Sequence, residues 1–118
     1  MNKNTGIMRL VYACQYSWQG FRSALVNEAA FLQELVALIL LTGVSFYLDV
    51  SSFERLAMIV SLVLILIVEI LNSAIECVVD RISNEHHTLS GRAKDYGSLA
   101  VLLSILIATA IWTVILVN

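Results

Sequence analysis

The sequence predicts an all-α membrane protein: an N-terminal amphipathic interfacial helix followed by three transmembrane helices. Three observations point there. Of 118 residues, 59% are hydrophobic and 14% charged, and the mean hydropathy is +0.86, more apolar surface than a water-soluble domain of this length carries. Proline is absent, which suits long uninterrupted helices. Apolar runs of membrane-crossing length recur, since ~20 residues rising about 1.5 Å each cover a ~30 Å hydrocarbon core. The formal charge of −2 leaves no footprint for nucleic acid. Cys14 and Cys77 are too few for a zinc motif or a disulfide framework, and their apolar helical contexts predict packing roles.

Residues 1–26 are expected to form the interfacial helix. Met8, Val11, Tyr12, Trp18 and Phe21 recur at roughly helical spacing, and Lys3, Arg9 and Arg22 supply positive charge. The polar character of this segment departs from the basic tip and apolar core of a cleavable signal peptide. The first span is placed at 29–48, with Glu28, Gln33 and Glu34 crowding its start. Glu28 and Glu34 are either solvated helix-start charges or functional groups level with the interfacial helix. A polar turn carrying Asp49, Glu54 and Arg55 leads to the second span at 56–80. A polar loop at 81–90 follows, then the third span at 91–117, with Ser90 as its expected N-cap. From Leu99 to Val117 the chain carries no charge, and Trp112 near the end suits an aromatic belt. Lys3, Arg9, Arg22, Arg81, Arg92 and Lys94 fall on one side of this topology, and Arg55 alone on the other. The N-terminus and the second loop are therefore expected in the cytoplasm and the C-terminus outside.

Glu69, Asn72, Ser73, Glu76 and Asp80 are spaced to share one helix face, and the residues between them are apolar or small. A charge at a bilayer centre costs at least ~2.5–3.5 kcal/mol, so this stripe implies a protein-lined or water-lined site. Glu28 and Glu76, from two helices, offer hard oxygens that suit Mg²⁺ completed by substrate phosphates. Lys94 in the first turn of the last helix suits a phosphate. Glu69, about two turns deeper than Glu76, is placed to act as general base toward a hydroxyl held in lipid. The chemistry so assembled is phosphoryl transfer at the interface. No nucleotide-binding glycine loop is present.

Blander readings stand beside these. Glu69 and Glu76 could instead pair with Arg or Lys of a neighbouring helix as structural glue, the weaker of the two readings. His86 and His87 read as loop histidines, and Gly91 and Gly97 as sites of close helix packing. A cation channel would need polar residues through the whole second span, yet Leu56 to Val68 contains only Ser61.

The run Glu69-Ile-Leu-Asn72-Ser73-Ala-Ile-Glu76-Cys-Val-Val-Asp80 resembles the signature of the prokaryotic diacylglycerol kinases. The resemblance extends to Tyr16-Ser17-Trp18-Gln-Gly20, Asn27-Glu28-Ala-Ala-Phe31, Leu89-Ser90-Gly91-Arg92-Ala93-Lys94-Asp95 and Gly97-Ser98. It implies a homotrimer with composite active sites in the bacterial inner membrane, phosphorylating diacylglycerol to phosphatidate with Mg²⁺ and ATP. It implies that Glu69 accepts the proton of the lipid hydroxyl and that Asn72 orients the catalytic carboxylates. Glu28 and Glu76 would hold the metal and, with Arg9, Tyr16, Glu85, His86, His87, Lys94 and Asp95, the nucleotide. The implied lipid site takes Arg9, Ala13, Cys14, Gln15, Tyr16, Ser17, Trp18, Arg22, Ser23, Ala24 and Leu25. It continues through Ala30, Phe31, Leu32, Gln33, Glu34, Glu69 and Ser98. At the far side it takes Tyr47, Leu48, Asp49, Val50, Arg55, Trp112, Thr113, Val114, Ile115, Leu116 and Val117. A related activity, phosphorylation of undecaprenol, is the alternative.

Overall fold

The computed structural model describes residues 5–82 and 87–118. Its elements are four helices: α1 (Gly6–Asn27), α2 (Ala29–Ser45), α3 (Ser52–Ile82) and α4 (Thr88–Val117).

One residue separates α1 from α2. Glu28 takes an extended conformation (φ −117°, ψ 99°), and the helices bend there by 104°. The corner keeps its backbone pairing: Glu28 N–H donates to Ala24 O at 2.9 Å, and Glu28 O accepts from Leu32 N at 3.2 Å. Aromatic contacts bridge the bend. Trp18 stacks on Phe21 at 5.9 Å, and Phe21 meets the buried Phe31 edge-on at 6.0 Å. Such pairs add about 0.5–1.5 kcal/mol each beyond area burial. Otherwise α1 buries no residue.

The first apolar run stays helical only to Ser45, three residues short of the expected 48. Phe46, Tyr47 and Leu48 instead donate to the carbonyls of Gly43, Val44 and Ser45, which tightens the chain into a turn. Arg55 closes this turn from α3. Its Nε donates to Ser45 O at 2.9 Å and its Nη2 to Leu48 O at 3.2 Å, with the guanidinium 5.3 Å above the Phe46 ring. The start of α3 is a capping box. Ser51 N–H donates to Glu54 Oε1 at 2.8 Å, and Glu54 N–H donates to Ser51 Oγ at 3.1 Å. Hence α3 begins at Ser52 rather than 56 and runs to Ile82 rather than 80.

Helices α3 and α4 form an antiparallel hairpin, tied near its ends by Asp80 to Lys94 and by Met58 to Trp112. Against α2 and α4 together, α3 buries Met58, Ser61, Leu62, Glu69, Ser73 and Val79. From α4 the seam holds Gly97, Ser104 and Ala108, small residues that let the backbones approach. The buried serines satisfy themselves: Ser61 donates to Met58 O and Ser104 to Val101 O, both at 2.7 Å. Ser90 lies within the first turn of α4 and is not its cap. His87 holds that position, its Nδ1 accepting from Leu89 N–H at 3.1 Å. Both cysteines are free and exposed, so the expected packing roles do not hold. Cys14 sits on a helix that buries nothing, and Cys77 on the outward face of α3.

Helices α3 and α4 are each long and apolar enough to cross a membrane; the bent pair α1 and α2 makes a third candidate if it forms one span. Large apolar side chains such as Leu40, Val60, Val78, Leu102 and Leu106 stand exposed, as hydrocarbon surroundings would require.

Candidate active site

The polar stripe of α3 continues the stripe that buries Met58, Ser61 and Leu62. Glu69 is 7% exposed, Asn72 and Glu76 are half-buried, and Asp80 is exposed. The site therefore opens toward the C-terminal end of α3, and Glu69 lies about 10 Å deeper along the helix than Glu76. In the other direction the stripe turns apolar, because the Ser61 hydroxyl is closed onto Met58 O. From Leu56 to Val68 that end of the α3 face is apolar apart from Ser61.

Two further carboxylates join from the first half of the chain. Glu28 is at the α1–α2 corner, and Glu34 lies one to two turns into α2. Glu69 feels the charges of both Glu76 and Glu28, and Glu34 feels that of Glu69. Glu34 Oε2 is buried with no hydrogen-bond partner. Among the described residues the only salt bridge lies elsewhere, between Lys94 Nζ and Asp80 Oδ1 at 2.8 Å. Electrostatics thus links four carboxylates through Glu69, although among the described residues no three of them group closely enough to hold a metal ion. Like charges repel strongly where water is scarce, and a bound cation offsets that repulsion.

Lys94 stands at the open end, where it also feels Glu76. Its pair with Asp80 is solvent-exposed and so contributes little to stability. The ammonium is free to exchange that partner for a phosphate. Asp95 and Ser98 are exposed and off the α3-facing side of α4. Arg9 and Tyr16 lie on α1, about 28 and 18 Å along the helix from Glu28. Tyr16 stacks on Tyr12 at 6.4 Å. His87 caps α4, while Glu85 and His86 lie outside the described residues.

The expected lipid-contacting residues fall in two places. Those from 13 to 34 flank the corner at Glu28: Trp18 is exposed, Ala24 and Leu25 are half-buried, and Phe31 is buried. Those at 47–50, Arg55 and 112–117 lie at the opposite end of the hairpin, with Arg55 about 21 Å along α3 from Glu69. There Trp112, Thr113 and Leu116 line an apolar groove with Leu41, Leu62 and Ile105.

Two pairings escaped the sequence, although Gly97 was expected to permit close helix packing. Glu34 was visible, but nothing in its spacing paired it with Glu69. Gly97 packs directly against Asn72: an added Cβ would collide with Asn72 Oδ1 and stand 3.1 Å from its Cγ. By contrast, Gly91 has open space where a Cβ would go, so it does not serve close packing.

The profile of the family "Prokaryotic diacylglycerol kinase" matches residues 15–116. This chain belongs to that family. Family relatives cover nearly its whole length. It is 53% identical to the diacylglycerol kinase of Escherichia coli over 115 residues, 98% of this chain and 94% of that one. It is 48% identical to that of Pseudomonas aeruginosa over 114 residues, 97% and 93% of the two chains. With that of Haemophilus influenzae it shares 44% over 112 residues, 95% of each. The family's membership therefore spans both the carboxylate cluster and the hairpin that holds it.

Proposed function

We propose that the chain is a lipid kinase that transfers the γ-phosphoryl group of Mg-ATP to 1,2-diacylglycerol, giving phosphatidate and ADP. The observation that carries this reading is the convergence of Glu28, Glu34, Glu69 and Glu76 beside Lys94, at one end of a membrane-length hairpin. The family relationship supports the choice of lipid.

In this reading the Glu69 carboxylate takes the proton of the lipid hydroxyl. The hydroxyl oxygen bonds to the γ-phosphorus as the bond to the bridging oxygen of ADP breaks. The depth of Glu69 suits a hydroxyl presented from the bilayer. Glu76 and Glu28 would hold Mg²⁺, which commonly takes one or two carboxylates and completes its shell with substrate phosphates; among the described residues no three acidic, histidine or cysteine side chains group to hold a metal by themselves. Bound there, the ion would neutralise phosphate charge. Lys94 binds the phosphates, and Asn72 positions the flanking carboxylates.

The basic residues favour an inner-membrane topology with the N-terminus and the α3–α4 connection in the cytoplasm and the C-terminus outside. With α2 upright, the 104° bend favours an α1 that lies in the interface. The remoteness of Arg9 and Tyr16 from their own Glu28 favours composite sites in a homotrimer. The test is purified protein in mixed micelles with labelled ATP and either diacylglycerol or undecaprenol. Labelled phosphatidate is expected. Preference for undecaprenol would overturn the lipid assignment, and transfer to neither would overturn the reaction.

A further inference from the structure

The seam between α3 and α4 is closest where Asn72 meets Gly97. Of the five glycines, Gly97 is the only one at which an added Cβ would meet anything within 4 Å among the described residues, and all three atoms it would meet belong to Asn72. The Asn72 Cβ would be an ordinary neighbour at 3.7 Å; the amide end is what collides. Asn72 Oδ1 is buried and has no hydrogen-bond partner. So the seam receives the amide in a notch that only a missing side chain provides, and no conventional hydrogen bond holds its oxygen there.

We propose that Gly97 is a positioning residue that sets the orientation of the Asn72 amide. The hydrogen standing where Cβ would be faces Oδ1. A Cα–H donates weakly to an amide oxygen but opposes an amide NH₂. The contact therefore selects one of the two flipped states of the amide. The Nδ2 donor edge is kept off α4 and left available to Glu69 and Glu76, which flank Asn72 on the same face three and four residues away. This rests on the proposed kinase site, in which those carboxylates act.

Alanine at 97 displaces the far end of a short side chain and no backbone. The fold survives that shift, while the donor edge moves. We expect Gly97→Ala to unfold thermally within a few degrees of the parent in mixed micelles, yet to lower kcat about tenfold to a hundredfold. KM values for Mg-ATP and for diacylglycerol stay within about threefold, because neither substrate contacts Gly97. A residue that only packed the seam would lower the thermal midpoint and leave kcat of the folded protein alone. Gly43→Ala, with open space at its Cβ, serves as the control.

The decisive comparison adds Asn72→Ala and the double variant. If Gly97 acts through Asn72, Gly97→Ala costs nothing more in the Asn72→Ala background, in kcat or in thermal midpoint. Losses that multiply overturn the proposal, as does a Gly97→Ala enzyme with parental kcat. If Asn72→Ala is itself fully active, the site reading fails and the proposal with it. If Asn72→Ala is slow while Gly97→Ala is not, the proposal alone fails. Should Gly97→Ala not fold, recovery of folding in the double variant supports the contact, and no recovery overturns it.

Discussion

Replacing Arg55 with Met removes the clasp that closes the α2–α3 turn. Two carbonyls lose a charged donor, Ser45 O at 2.9 Å and Leu48 O at 3.2 Å, and Phe46 loses the guanidinium 5.3 Å above its ring. A hydrogen bond from a charged group contributes about 1.5–3 kcal/mol in soluble proteins. Interhelical bonds in membranes average nearer 0.6 kcal/mol, because the unfolded chain finds other partners there. The cation–π contact adds about 0.5–1 kcal/mol. Two bonds at about 0.6 kcal/mol each plus the cation–π contact give a sum of about 2 kcal/mol. Arg55→Lys keeps the charge but lacks the planar fork that reaches two carbonyls at once, and half the loss is expected. Phe46→Leu removes only the ring contact and should cost least. The assay is equilibrium unfolding in mixed micelles, read by circular dichroism. The reasoning is refuted if Arg55→Met is as stable as the parent, or if Lys and Met replacements cost the same. A raised KM for lipid at unchanged stability would instead make Arg55 a lipid contact.

Glu69→Gln should lower turnover by about 10²–10⁴-fold while Mg-ATP binding is retained, since a base is lost and the metal carboxylates remain; normal turnover would remove the general-base role. Glu28→Gln and Glu76→Gln should instead raise the Mg²⁺ and ATP concentrations needed for half-maximal rate, and chelation by EDTA should abolish transfer until Mg²⁺ is restored. Asp80→Asn should barely change the unfolding midpoint and leave Lys94 more available, so KM for ATP should fall or hold; Lys94→Met should raise it. Mixed inactive Glu69→Gln and Glu76→Gln chains should regain activity if sites are shared between subunits, and none at any ratio would count against composite sites.

Much of the architecture was legible because long helices announce themselves through composition. The apolar runs, the missing prolines and the period of Glu69, Asn72, Ser73, Glu76 and Asp80 are all local signals. Helix ends were harder. The α3 start moved to Ser52 because of a Ser51–Glu54 capping box that stands in the sequence as a Ser-x-x-Glu run. The α4 start depends on a histidine side chain turning back on its own backbone, which spacing does not reveal. Cys14 and Cys77 were misplaced for a related reason. An apolar neighbourhood in a membrane helix marks lipid exposure as readily as core, because hydrocarbon surrounds both.

The acidic stripe itself, its face and its depth order came from the sequence alone, since 3.6-residue periodicity determines which side chains share a helix face. What meets that face was decided only in three dimensions. The corner at Glu28, made without glycine or proline, brings a carboxylate from the first half of the chain toward Glu69. Glu34 joins them by the packing of α2 on α3, and Gly97 receives Asn72 where α4 comes closest. These pairings join residues 25 to 41 positions apart in the sequence, by charge for the carboxylates and by direct contact for Asn72 and Gly97. Local periodicity sets the face a side chain takes, and helix-to-helix packing sets its partner.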